Sequence, residues 1–144
     1  MKKLAVLLLL VLPASAAMAQ ASLATETDIL AFEEAFLEDF VAERFQEAFD
    51  RFRGDQSGIP LNEVETLEVE TARQLTSLQG RYGPGVDFVF LGRESIDDVL
   101  VQHLYLVRYR NHAIRVRFIY YDNGRVRRLN YFSWDDSLDA LFTW

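Results

Sequence analysis

The stretch Ile114-Arg-Val-Arg-Phe-Ile-Tyr-Tyr-Asp-Asn-Gly-Arg-Val-Arg-Arg-Leu-Asn-Tyr-Phe132 decides how this chain folds. Asn123-Gly124 sits between two runs in which apolar and polar residues alternate. Asn-Gly in that setting is a strong hairpin signal, because a type I′ turn needs positive φ at both central residues. With Asn123 and Gly124 as the loop, Asp122 pairs with Arg125. Counting outward sets Tyr120 against Arg127, Phe118 against Leu129 and Val116 against Tyr131. Side chains alternate along a strand, so Ile114, Val116, Phe118, Tyr120, Leu129 and Tyr131 share an apolar face. Arg115, Arg117, Ile119, Tyr121, Val126, Arg128, Asn130 and Phe132 make a mixed, basic one.

Working outward, Val99 to Tyr109 alternates as well. Val99, Val101, His103, Tyr105, Val107 and Tyr109 fall on one side, and Leu100, Gln102, Leu104, Leu106 and Arg108 on the other. A two-residue turn at Asn111-His112 would set Arg108 against Arg115. Like charges directly opposite are unfavourable, so a longer loop or an acidic neighbour is expected. Val86 to Leu91 is a short fourth strand, apolar on both parities, which predicts burial on both sides. Arg93 to Asp98 reads as the turn that follows it. A curved antiparallel sheet of about four strands needs a cover on its apolar face.

The cover comes from the N-terminal half. Thr25 to Arg53 reads as one Phe-rich helix, with Thr25 and Asp28 as a cap pair. Ile29, Phe32, Phe36 and Phe40 hold one face. Val41, Phe45, Ala48, Phe49 and Phe52 lie rotated around the axis, which implies a kink near Phe40 or a wide wrap of the sheet. Glu34, Glu38, Asp39, Glu43 and Glu47 fill the remaining side, and Gly54 ends the helix. A second helix is expected over Glu63 to Gln79, with Asn62 as cap, Glu65 in the capping-box position and Gly80 as the stop. Its buried stripe is Val64, Leu67, Thr71, Leu75 and Leu78. After Trp134, an Asp-capped turn brings Leu138, Leu141 and Phe142 to one side as a C-terminal lock.

Residues 1–19 read as a secretory signal peptide. Lys2 and Lys3 precede the apolar run Leu4 to Leu12, and Ala17-Met18-Ala19 supplies a small-residue cleavage site. The run is too short for a spanning helix, so no stable membrane insertion is expected after cleavage. Localisation to a bacterial periplasm is expected ahead of full secretion. Residues 20–144, about 125 residues, suit a single domain with a core that needs no staples. The chain contains no Cys, which excludes disulfides in that compartment. Its only lysines are Lys2 and Lys3, so every later cation is Arg. The net charge is −7, which argues against nucleic acid as a partner.

The Phe-rich segment 26–53 is followed by the hairpin run from His103 to Tyr121, by Asn123-Gly124, and by Tyr131-Phe-Ser-Trp-Asp-Asp136. In this order and spacing the chain resembles the nuclear transport factor 2-like (NTF2-like) superfamily, the cone-shaped α+β roll. Its ending is similar to an exported bacterial branch whose final strand closes on aromatic-Asp-Asp before a Leu-rich tail. The resemblance implies a conical cavity between sheet and helices and often a sheet-to-sheet homodimer. The family's isomerase, dehydratase and cyclase members place Asp, His or Tyr in that cavity. No such set matches here residue by residue, so none carries over.

Three groups are candidates for chemistry. His103, on the apolar sheet face beside Tyr105 and Tyr120, could act as a general base. The plainer reading is a core histidine bonded to a carbonyl or a tyrosine. Tyr105, Tyr120 and Tyr131 bring hydroxyls to the apolar face, each wanting a partner, and hint at a polar-lined small-molecule site. The chain's 11 Phe, 6 Tyr and 2 Trp otherwise suit a small core of large side chains. Arg115, Arg117 and Arg128 could form an anion site, pair with a partner subunit or with the C-terminal Asp pair, or stand in solvent. The helix carboxylates have no His at ligand spacing, so no metal is expected, and no cofactor motif is present. Gly-x-x-Gly-x-Gly over 80–85 precedes a strand where a phosphate cradle needs a helix. The expectation is a non-catalytic binding or interaction module. An isomerase- or dehydratase-type enzyme using His103 and a protein that dimerises through its sheet stand as alternatives.

Overall fold

The computed structural model describes residues 23–142, so the expected signal peptide lies outside the described residues. The chain is α+β. Helix α1 (Glu26–Val41), helix α2 (Phe45–Asp50) with a 3-10 turn (Arg51–Arg53), and helix α3 (Leu61–Tyr82) pack against one curved, unclosed antiparallel sheet. The sheet consists of β1 (Gly85–Ile96), β2 (Leu100–Tyr109), β3 (Ala113–Asp122) and β4 (Arg127–Asp135), in that spatial order. A 3-10 turn, Leu138–Phe142, ends the described chain. This arrangement is consistent with an NTF2-like roll.

The sheet departs from the expected register at the β3–β4 hairpin. Asp122 pairs with Arg127, not Arg125. The Asn123 carboxamide accepts the amides of Arg125 and Val126, and Asp122 Oδ1 accepts that of Gly124. These side-chain bonds stabilise a four-residue loop in which Gly124 alone has positive φ (83°), so the two-residue turn does not form. The shift of two keeps Tyr120 and Leu129, now opposite one another, on the inner face. A register slip at Asn130 then reverses the parity. Phe132 and Trp134 turn inward opposite Phe118 and Val116, while Tyr131 turns outward opposite Ile119 and is 48 % exposed. The β2–β3 loop is also longer than two residues. Arg108 meets Ala113, Arg115 meets Leu106, and Arg108 instead pairs with Asp87 on β1. The longer loop and the acidic neighbour expected in place of a like-charge opposition are both present.

Strand β1 is an edge, not a strand buried on both sides. It runs twelve residues, and Val86, Val89, Phe90 and Leu91 are all exposed. A slip between Phe90 and Gly92 interrupts its pairing with β2. The turn that follows is confined to residues 97–99, with Asp97 and Asp98 at positive φ (49° and 55°). Gly85 begins β1 so close to α1 that a Cβ there would lie 2.3 Å from the Val41 carbonyl oxygen.

The expected single helix over 25–53 is divided. Its start is as read: the Thr25 hydroxyl accepts the Asp28 amide, and the Asp28 carboxylate accepts the Thr25 amide. Its end is a left-handed cap. Arg44 N–H donates to Asp39 O and Glu43 N–H to Phe40 O, with Glu43 at φ 59°. That is the Schellman pattern, with Glu43 where glycine is usual. Beneath it, the Asp39 carboxylate receives Arg44 (2.6 Å) and Arg51 (2.8 Å), which ties α1 to the segment after the break. Helix α3 starts at Pro60, and neither Asn62 nor Glu65 forms the expected caps. It passes through Gly80 and stops at Gly83, φ 75°.

The break folds a second row of Phe onto the first. Phe36 stacks on Phe52 at 4.6 Å and meets Phe118 and Phe132 edge-on. Phe32, Phe40 and Phe49 complete the cluster. Each buried ring contributes about 1.5–3 kcal/mol, and each good ring pair about 0.5–1.5 kcal/mol more. Along α3, Val64, Thr71, Leu75 and Tyr82 are buried. Trp134 Nε1 donates to the Thr71 hydroxyl, and the Tyr82 hydroxyl to Asp136. In the C-terminal turn Leu138 and Leu141 are half-buried, but Phe142 is exposed and adds nothing to the expected lock.

Two outcomes follow from the α1 terminus. Glu43→Gly removes left-handed strain and is expected to raise stability by about 1 kcal/mol in urea denaturation; a loss of stability would show that the Glu43 side chain matters more than its backbone. Asp39 is held below its ordinary value of 3.8, chiefly by the Arg51 hydrogen bond and then by Arg44, with burial opposing. A lowered folded-state value stabilises above the unfolded one and is lost as pH falls through it. Asp39→Asn is therefore expected to cost stability at neutral pH. Its difference from wild type should shrink as the pH falls below about 5, and an unchanged difference down to acid pH would refute the clamp.

Candidate functional site

The inner sheet face and α1 meet at a carboxylate. Glu33 lies on the same helical stripe as Ile29, Phe36 and Phe40, one turn from each neighbour, so burial of that stripe carries it inside. Glu33 and His103 are both fully buried. Glu33 Oε2 lies 2.8 Å from His103 Nδ1 and accepts the Tyr105 hydroxyl at 2.7 Å. Tyr120 stands beside His103, ring centroids 6.0 Å apart. On the other side of the imidazole, Glu26 Oε1 is 2.9 Å from Nε2, close but off the line of a hydrogen bond, and Glu26 Oε2 lies 3.5 Å from Arg93. No Lys or Arg pairs with Glu33 among the described residues.

Burial, and after it the Glu33 charge, pushes the Tyr105 and Tyr120 hydroxyls well above their ordinary value. Both are therefore neutral donors at any physiological pH. Tyr105 uses its proton on Glu33. The Tyr120 hydroxyl and Glu33 Oε1 remain buried without a partner in hydrogen-bond geometry. Tyr109, on the same face, is raised chiefly by burial.

A histidine oriented by a carboxylate, with a tyrosine donor beside it, is a set that can move protons. A substrate would have to reach it, and the surroundings are packed: Phe90 covers His103 on one side and Phe118 lies against Tyr105. Tyr131 is not part of the set, because the slip at Asn130 puts it on the far side of β4. Of the three tyrosines singled out in the sequence, Tyr105 bonds Glu33, Tyr120 lies beside His103, and Tyr131 is on the other face.

Among the arginines, Arg115 is engaged by Asp135 through two bonds of 2.6 and 2.9 Å, with Arg117 3.9 Å from the same carboxylate. That is the pairing with the C-terminal Asp pair. Burial raises the Asp135 carboxyl, but Arg115 and the hydrogen bonds from Ser137 together outweigh it and hold it below the usual range. Arg128, on β4 opposite Tyr121, is exposed and has no ion pair among the described residues. Among the described residues no group of three or more side chains is placed to hold a metal ion.

A concavity opens elsewhere. Between α3 and β4 two clefts of about 260 and 290 Å³ share Leu67, Tyr131 and Phe132 and so form one groove. Its floor is apolar, with Ile59 at one end and Trp134 at the other. Glu63 and Glu70 stand on its helical rim, and Ser133 Oγ beside it is buried without a partner. Sequence reading placed Leu67 and Thr71 on the buried stripe of this helix but had no means of seeing the gap beside them. Glu33 was missed although a signal existed: it is a carboxylate one turn from Ile29 and from Phe36, inside an apolar stripe.

No protein-family model matches this chain, and no curated protein or solved structure shows significant similarity to it.

Breaking a buried pair strands the partner's charge and costs about 3–5 kcal/mol, whereas replacing the whole set with apolar residues is often neutral. Glu33→Leu alone is expected to destabilise by about that amount. Adding His103→Phe and Tyr105→Phe is expected to restore most of the loss in urea denaturation. A triple variant no better than the single one would show that the polar set itself holds the fold together.

Proposed function

We propose that this chain is an exported, non-catalytic binding module of the NTF2-like kind. Its ligand site, in this reading, is the groove between α3 and β4 and not the interior of the cone. The observation that carries the reading is the contrast between the two places. The helix–sheet interior is occupied by the Phe cluster and by Glu33 bonded to His103 and Tyr105. The groove is open, apolar at its floor and polar at its rim, as binding sites generally are.

The acid–base reading has one specific observation in its favour, the 2.8 Å contact between Glu33 and His103. Both readings are tested by methyl and aromatic NMR of the protein titrated with indole as a small apolar probe. The expected result is shifts at Ile59 and Leu67 that vanish in Leu67→Arg, with the His103 ring resonances unmoved. Shifts centred on His103 and Val101 would overturn the groove and restore an interior site.

A further inference from the structure

The groove runs along an unpaired sheet edge, and the alternation of the ladder says which backbone groups face it. Leu129 N–H donates to Gln56 O, and Leu129 O accepts Gly58 N–H. Both polar groups of Leu129 therefore point away from β3. Its partner Tyr120 is then in a non-hydrogen-bonded pair, and Phe118 and Val116 follow at intervals of two. Their partners on β4, Phe132 and Trp134, accordingly direct N–H and C=O outward, toward the groove. Among the described residues no segment pairs with this edge beyond the single parallel bridge of Ser57 to Leu129.

Natural edge strands are usually blunted by charge, proline or a bulge. The opposite edge, β1, has all but proline: Asp87, Arg93 and Glu94, and a slip at Leu91. Strand β4 has Arg127, Arg128 and its slip before Tyr131, and Asp135 after Trp134. Tyr131-Phe-Ser-Trp134 carries neither charge nor proline. The open stretch is about 13 Å long, four residues of β rise, or room for roughly four residues of extended chain. The groove lining includes Glu63 and Glu70 and no cation, although Arg73 lies 3.7 Å from Glu70.

Resting on the groove as the binding site, we propose that its occupant is an extended segment of a partner polypeptide, added to β4 as a fifth strand. Every second side chain of that segment faces α3, where an apolar one packs toward Leu67 and Phe132 between Lys or Arg side chains that meet Glu63 and Glu70. Main-chain bonds to Phe132 and Trp134 supply register, as in other strand additions. The 56–58 loop already engages the same edge one position earlier, at Leu129, so the edge accepts chain in this structure.

The probe is a capped hexapeptide with Arg, Val and Arg at every second position and Thr between them, titrated while Trp134 fluorescence and hydrogen exchange at the Phe132 and Trp134 amides are followed. Saturable binding in the micromolar range is expected, with both amides protected. The same peptide carrying N-methyl groups on alternate amides, and a version with Glu in place of Arg, should each bind on the order of tenfold weaker or less. Equal binding by the N-methylated probe would overturn strand addition, and equal binding by the Glu version would overturn the basic partner. Shifts with indole but none with any peptide would sink this inference and leave the groove standing; silence from both would remove the groove as well. A concentration-dependent dimer of the free protein that protects the same amides would assign the edge to a second copy of this chain and overturn a heterologous partner.

Discussion

A carboxylate sealed from water at the helix–sheet junction is the constraint on which the rest of the structure depends. Glu33 cannot be buried without donors, because an uncompensated charge in an apolar interior costs several kcal/mol. His103 and Tyr105, two residues apart on one face of β2, supply them at 2.8 and 2.7 Å. That requirement fixes how far α1 lies along β2 and how it is rotated. With α1 so placed, Phe36 and Phe40 fall onto Phe118 and Phe132, and the helix–sheet interior fills. Polar residues that resemble an active site thus serve as the junction that closes it.

The closure has a consequence at the edges. The sheet is covered on its inner face by α1 and the Phe-bearing segment after it, while α3 lies further out against β4 through Thr71 and Trp134. Two hydrogen-bonded or packed lines, one at Glu33 and one at Thr71, leave a gap between α3 and the outer half of β4. Apolar surface beside free backbone groups is an uncommon combination on a protein surface, since each alone invites association. The slip at Asn130 produces it. By reversing parity, it sends Phe132 and Trp134 inward to form the floor and Tyr131 outward to form a wall. The same irregularity that separates Tyr131 from Tyr105 and Tyr120 builds the groove.

Much of the fold was legible because its signals are local. Alternation along Val101–Tyr109 and Ile114–Tyr120 assigned the inner face correctly, since faces depend on parity alone, and the Thr25–Asp28 cap was readable from two residues. The turn loops were not, because Asn123 uses its side chain to bond Arg125 and Val126 where the turn rule needs its backbone at positive φ. The end of α1 was hidden for a related reason. Glu43 occupies a left-handed position that normally announces itself with glycine, and the Asp39 contacts with Arg44 and Arg51 across the break reinforce the cap that holds it there.

The sequence by itself determined the α+β class, the four-strand meander, the Phe-bearing helical cover and the residues that line most of the interior. Each follows from periodicity and from the free energy of burying rings. Only the tertiary structure decided that His103 has a carboxylate partner, because Glu33 is seventy positions away and no spacing rule connects a helix stripe to a strand face. It alone decided, through one extra residue in β4, which aromatic side chains face inward. It likewise decided that open space lies along the α3–β4 edge while the interior is packed, since a void is the difference between two packed surfaces and has no residue of its own to announce it.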